Sequence, residues 1–143
     1  MINSIRHTGL VVNNLDMMKE FYGKIGFKIY KEDLEQGKFI ETVTGYKKVK
    51  LETIKMISGD NSMIELIKYC HPVSEILTPN YKPNQLGCSH IAMTVQNAEN
   101  TCEIIDQNGG KIINKPVIND DTTVKVAYCF DPEGILLEIV EEL

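Results

Sequence analysis

The chain has 143 residues, the size of one domain, and its 43% hydrophobic and 24% charged residues exclude a disordered, collagenous or coiled-coil protein. No apolar run approaches the ~20 residues that a membrane-spanning helix needs. A net charge of −5, with Arg6 as its one arginine, argues against a nucleic-acid partner, whose backbone demands clustered Arg and Lys.

The opening MINSIRHTGL has no basic region followed by an apolar core, so a cytoplasmic protein is expected. The four cysteines, Cys70, Cys88, Cys102 and Cys129, contain no CxxC pair and are expected to be free thiols.

In chain order, residues 4–12 alternate and predict a strand. Asn14 or Asp16 caps a helix running to about Lys24, with Met17, Met18, Phe21, Tyr22 and Ile25 recurring at three and four, and Gly26 ends it. Residues 27–34, 46–57 and 62–69 predict three strands, the last preceded by the turn Gly59-Asp60-Asn61. A linker over 71–86 carries Pro72, Pro79, Asn80, Pro83 and Asn84, with room for a short helix near 73–77. Beyond it come a strand at 87–96, a helix at 98–108 ended by Gly109-Gly110, and strands at 111–114, 122–130 and 134–142.

The order β-α-β-β-β therefore occurs twice, which predicts an α+β fold in one domain of two modules, about 1–70 and 87–143. The sequence itself repeats. At an offset of 83, His7, Val12, Asn14, Glu20, Gly26, Lys28 and Ile29 fall on His90, Val95, Asn97, Glu103, Gly109, Lys111 and Ile112. The module ends also match, Met63-Ile64-Glu65-Leu66-Ile67 against Leu136-Leu137-Glu138-Ile139-Val140. A lone module leaves one apolar sheet face uncovered, to be buried by the other module or by a second chain. Leu10, Val12 and Met93 point to such faces, and a homodimer is expected.

Glu65 and Glu138 each sit in a strand whose two faces are both apolar. A buried carboxylate is costly unless it is paired or bound to a cation, and here two occur at equivalent places. His7 and His90 begin the matching strands. Imidazole with carboxylate suits a borderline divalent metal such as Zn, Ni, Co, Fe or Mn. His7, Glu65, His90 and Glu138 are therefore the candidate metal ligands. Cys88 shares a face with His90, but its counterpart Ile5 is apolar; His71 has no counterpart and is expected at the surface. Lys47, Lys48, Lys50 and Lys55 predict a solvated strand or loop, or a hold for an anionic tail. Lys48, Lys50 and Arg6 are the candidates for such a contact.

The doubled module, the leading histidines and Asp131-Pro132-Glu133-Gly134-x-x-x-Glu138 resemble the vicinal oxygen chelate superfamily. That superfamily holds glyoxalase I, methylmalonyl-CoA epimerase, extradiol dioxygenases, fosfomycin-resistance enzymes and bleomycin-binding proteins. The resemblance implies a curled mixed sheet around a metal-binding cleft, with one divalent ion held by His7, Glu65, His90 and Glu138. This two-His, two-Glu set is similar to that of bacterial glyoxalase I. It implies a lyase or isomerase that moves a proton next to a carbonyl through an enediolate, on a thiol-linked small molecule, with Glu138 or its counterpart Glu65 as base. An epimerase, a non-haem iron dioxygenase, an antibiotic-resistance transferase and a non-catalytic binding member are the alternatives.

Overall fold

The computed structural model describes residues 1–75, 82–84 and 86–143 and divides into two compact units, Met1–Ile76 and Leu77–Leu143. Both are α+β, each with one mixed sheet.

In the first unit, β1 (Thr8–Val11) leads through α1 (Leu15–Lys24) to β2 (Lys28–Gln36), α2 (Lys38–Thr44), β3 (Lys50–Ile57) and β4 (Met63–His71). The sheet order is β1-β4-β3-β2, with β1 parallel to β4 and the other pairs antiparallel. The first strand is shorter than 4–12, and Ile5 before it is 90% exposed. The helix begins where the capping residue predicts: the Met17 N–H donates to Asn14 Oδ1 at 3.1 Å. Asp16 lies in the first turn instead, where its charge suits the helix dipole. Leu15, Met18, Phe21 and Tyr22 turn inward, whereas Met17 faces solvent. This helix packs on β3 and β4, whose Ile54, Met56, Ile64 and Leu66 are buried with Leu10. Each such side chain contributes about 1.5–3 kcal/mol.

Leu10 and Val12 are thus already buried in the single chain, so they are not the apolar surface awaiting a partner that the sequence suggests. The second helix, α2, has no counterpart among the predicted elements. It has only seven residues, ends in β-branched Thr42-Val43-Thr44 and starts at Gly37, which has no side chain to cap it. Tertiary packing outweighs these weak signals: Ile40 joins Val49 and Leu51 in a small core, with Ile67 and Tyr69 against it. Gly45 closes the helix at φ 76°.

The second unit runs β5 (Ile91–Val95), α3 (Ala98–Gln107), β6 (Lys111–Ile112), β7 (Val117–Ile118), β8 (Val124–Phe130) and β9 (Leu136–Glu142). Its order is β5-β9-β8-β6, with β7 also on β8 and β5 parallel to β9. Asn97 caps α3 at 2.7 Å, as Asn14 caps α1. Ala98, Cys102 and Ile105 of α3 are buried, as are Ala127, Cys129, Leu137 and Ile139 of the sheet. The four cysteines are free, and burial pushes the Cys129 thiol up to about 12. The two-residue β7 was too short to predict. Of the expected linker, Pro72 and Val73 form a turn, and residues 76–81 and 85 lie outside the described residues, with part of the short helix expected near 73–77.

Two local features generate predictions. A Cβ on Gly110 would meet Ile105 Cγ2 at 2.5 Å and the Phe130 carbonyl oxygen at 2.7 Å. Gly110→Ala is therefore expected to destabilise the protein by about 1–3 kcal/mol, read by chemical denaturation. In the β3–β4 turn, hydrogen bonds from the Ser58 hydroxyl, then from Ser62, hold the Asp60 carboxyl down to about 2 from an ordinary value of 3.8. The folded value is the lower one, so the turn's contribution is present above the ordinary value and lost as pH falls through about 2. Carboxyl-carbon NMR is expected to show Asp60 titrating near 2, below its ordinary value of 3.8.

Candidate metal-binding pairs

Each unit ends with its last strand parallel to its first, and the two registers are equivalent. Gly9 lies opposite Glu65, and Ala92 lies opposite Glu138. Small residues beside each glutamate leave its side chain room. A Cβ on Gly9 would reach only the tip of Ile67, at 3.4 Å. Each histidine lies two residues before that small neighbour and reaches the same carboxylate. His7 Nε2 is 3.0 Å from Glu65 Oε2, and His90 Nε2 is 3.0 Å from Glu138 Oε2.

The structure thus brings the four predicted residues together as two pairs, one in each unit. Among the described residues no three His, Cys, Asp or Glu side chains group to hold a metal. Each pair by itself fits as two neighbouring ligands. Nitrogen and oxygen donors about 2.1 Å from a metal, at right angles, lie about 3.0 Å from each other. A metal on Nε2 requires the proton on Nδ1. In the second unit His90 Nδ1 has an acceptor at hand, the Ser89 hydroxyl at 2.7 Å. In the first, His7 Nδ1 is buried without a hydrogen-bond partner among the described residues.

The surroundings of the two glutamates differ. Glu65 is 7% exposed, and its second oxygen, Oε1, is 2.6 Å from Lys55 Nζ. Lys55 faces Glu65 directly across the β3–β4 pairing. It also lies 4.0 Å from Asp33, which Lys31 holds at 2.9 Å. The Glu65 hydrogen bond raises the Lys55 ammonium above the ordinary lysine range, so it stays charged. The expectation that Lys55 is a solvated or anion-binding lysine is therefore replaced by an ion pair.

In the second unit the residue across from Glu138 is Tyr128, whose ring stands edge-on to His90 with centroids 5.4 Å apart. Among the described residues, the one ion-pair partner of Glu138 is His90. Counting strand residues outward from the 58–62 turn would have placed Lys55 opposite Glu65.

The other candidates lie apart from these pairs. Cys88 is exposed and precedes β5, Arg6 is exposed ahead of β1, and His71 is exposed at the end of β4. Lys48 and Lys50 line an open depression with Gln36, Glu41 and His71. Thr53 shares the Glu65 face, opposite Ile67. It is 3% exposed, and its hydroxyl has no hydrogen-bond partner among the described residues.

The profile of the Glyoxalase/Bleomycin resistance protein/Dioxygenase superfamily matches residues 4–139, and the chain belongs to that superfamily. A probable lactoylglutathione lyase of Synechocystis sp. is 28% identical over 141 residues, covering 94% of this chain and 92% of its own. A lactoylglutathione lyase of Neisseria meningitidis is 27% identical over 139 residues, covering 95% and 88%. Among solved structures, a glyoxalase family protein from Bacillus cereus superposes with a TM-score of 0.92 at 24% identity, over 100% of this chain and 96% of the other. At that identity the likeness establishes the fold.

The orphaned hydroxyl gives a test of this face. Thr53→Val keeps the side-chain shape and removes a buried polar group that lacks a partner. It is expected to raise stability by about 1 kcal/mol in denaturant titrations.

Proposed function

We propose that this protein is a divalent-metal-dependent lyase or isomerase of the glyoxalase I type, moving a proton next to a carbonyl of a thiol-linked small molecule. The observation that carries the reading is the pair of equivalent His–Glu contacts, each with nitrogen and oxygen 3.0 Å apart. Two relatives named as lactoylglutathione lyases, covering nearly the whole chain, support the same class of reaction. His7, Glu65, His90 and Glu138 are the residues that would supply ligands to a divalent ion, of nickel, cobalt or zinc, with iron and manganese also suited to this donor set. When bound, such an ion supplies Lewis-acid polarisation of a carbonyl oxygen.

Glu138 serves as the base. Its carboxylate accepts the proton from the carbon beside the carbonyl and returns it to the former carbonyl carbon of a hemithioacetal, or to the same carbon of a thioester. Glu65 is its counterpart in the repeat. A hemithioacetal or a thioester offers the acidic C–H that this chemistry requires. The two units are read as modules of one glyoxalase-like domain, working as a homodimer in the cytoplasm.

The test is exchange of solvent deuterium into hemithioacetals of 2-oxoaldehydes and into acyl thioesters, followed by NMR with the metal-loaded protein. Wild type is expected to exchange the proton next to the carbonyl. Glu138→Gln, at saturating metal, is expected to lose about 10²–10⁴-fold in that rate while remaining folded. Equal exchange by wild-type protein stripped with a chelator would remove the proposal. Oxygen consumption with iron in place of proton exchange would assign the dioxygenase branch of the superfamily instead.

A further inference from the structure

The repeat places a histidine and a glutamate identically in both units, but the third residue at each glutamate differs. Lys55 faces Glu65, and Tyr128 faces Glu138. We propose that Lys55 is a resident counter-cation of Glu65 that weakens metal binding by the His7–Glu65 pair and leaves the His90–Glu138 pair the stronger metal-binding pair. This rests on the metal-site reading above and concerns how the two pairs share the work.

The two oxygens of Glu65 have different partners. His7 Nε2 faces Oε2 at 3.0 Å, whereas Lys55 Nζ holds Oε1 at 2.6 Å. A dication on the His7 side would share one carboxylate with an ammonium. The side chains of Lys55 and Glu65 are only 20% and 10% exposed, so water screens the repulsion between the two cations weakly. Asp33 balances part of the lysine charge, but from 4.0 Å and while also paired with Lys31. Glu138 carries no such burden. The His90 pair also has the better outer contact, because Ser89 lies 2.7 Å from Nδ1, whereas His7 Nδ1 has no hydrogen-bond partner among the described residues.

An opposite role is conceivable on physical grounds. A lysine that merely aimed Glu65 at the metal would strengthen binding, since such outer contacts commonly contribute 10–100-fold in affinity. The two roles predict opposite signs for one substitution. Removing Lys55 should tighten metal binding if it is a competing cation and loosen it if it is an orienting donor. Repulsion between cations sharing a carboxylate in a poorly solvated site is the larger effect, which fixes the sign of the prediction.

The experiment is titration of the full-length, metal-stripped protein with Co²⁺, read by visible absorption and by competition with a chromophoric chelator. Lys55→Met, or Lys55→Gln if the first does not fold, is expected to bind Co²⁺ at least about tenfold more tightly, with an altered absorption band. Lys55→Arg keeps the charge and is expected to stay near wild type. Lys68→Met removes the same charge from the opposite face of β4 and is also expected to stay near wild type. His90→Ala is expected to cost more affinity than His7→Ala. Affinity that is unchanged or weaker in both Lys55→Met and Lys55→Gln overturns the inference. If wild type gives no Co²⁺ band, or if neither histidine variant alters it, the metal-site reading itself fails and takes this inference with it.

Discussion

The parallel pairing of the first and last strand of each unit is the constraint on which the site depends. It sets Gly9 beside Glu65 and Ala92 beside Glu138, and it aims each histidine, two residues earlier on the same face, at that carboxylate. A slip of one residue in either pairing would send its glutamate into the helix-covered face, which holds Leu10, Leu66 and Ile54 in the first unit. The register is held because those apolar residues are buried beneath α1, and their counterparts Leu137 and Ile139 lie on the helix side of the second sheet. Helix packing on one face thereby positions chemistry on the other.

A carboxylate on a largely apolar sheet needs a cation or a hydrogen-bond donor. The two units meet this need differently. Glu65 has both an imidazole and an ammonium, while Glu138 has an imidazole beside an aromatic edge. The duplication preserved the pair and let its surroundings diverge. Two glutamates that look interchangeable in the repeat thus have different electrostatic settings, and the difference comes from β3 and β8, away from the matching motifs.

The first unit also carries a feature that the repeat does not share. The α2 helix seals one end of its sheet face by burying Ile40 against Val49 and Leu51, with Ile67 and Tyr69 alongside. Thr53 lies on the same face, between this apolar end and the Lys55–Glu65 ion pair.

The α+β class and the Asn14 cap of the first helix were legible in the sequence, which also singled out the histidines and glutamates that the structure pairs within each unit. Amphipathic periodicity, Asn capping and glycine stops are local signals, and the repeat doubled each of them. The glutamates stood out because a charge amid apolar neighbours conflicts with burial wherever the chain goes. Other features needed the tertiary structure. The α2 helix exists because distant residues bury Ile40, although its own residues are poor helix formers. The burial of Leu10 and Val12 follows from α1 lying across the sheet. Lys55 gained its role from cross-strand register, which brings residues ten apart into contact. Composition and periodicity report what each residue prefers, whereas the folded sheet determines which neighbour satisfies it.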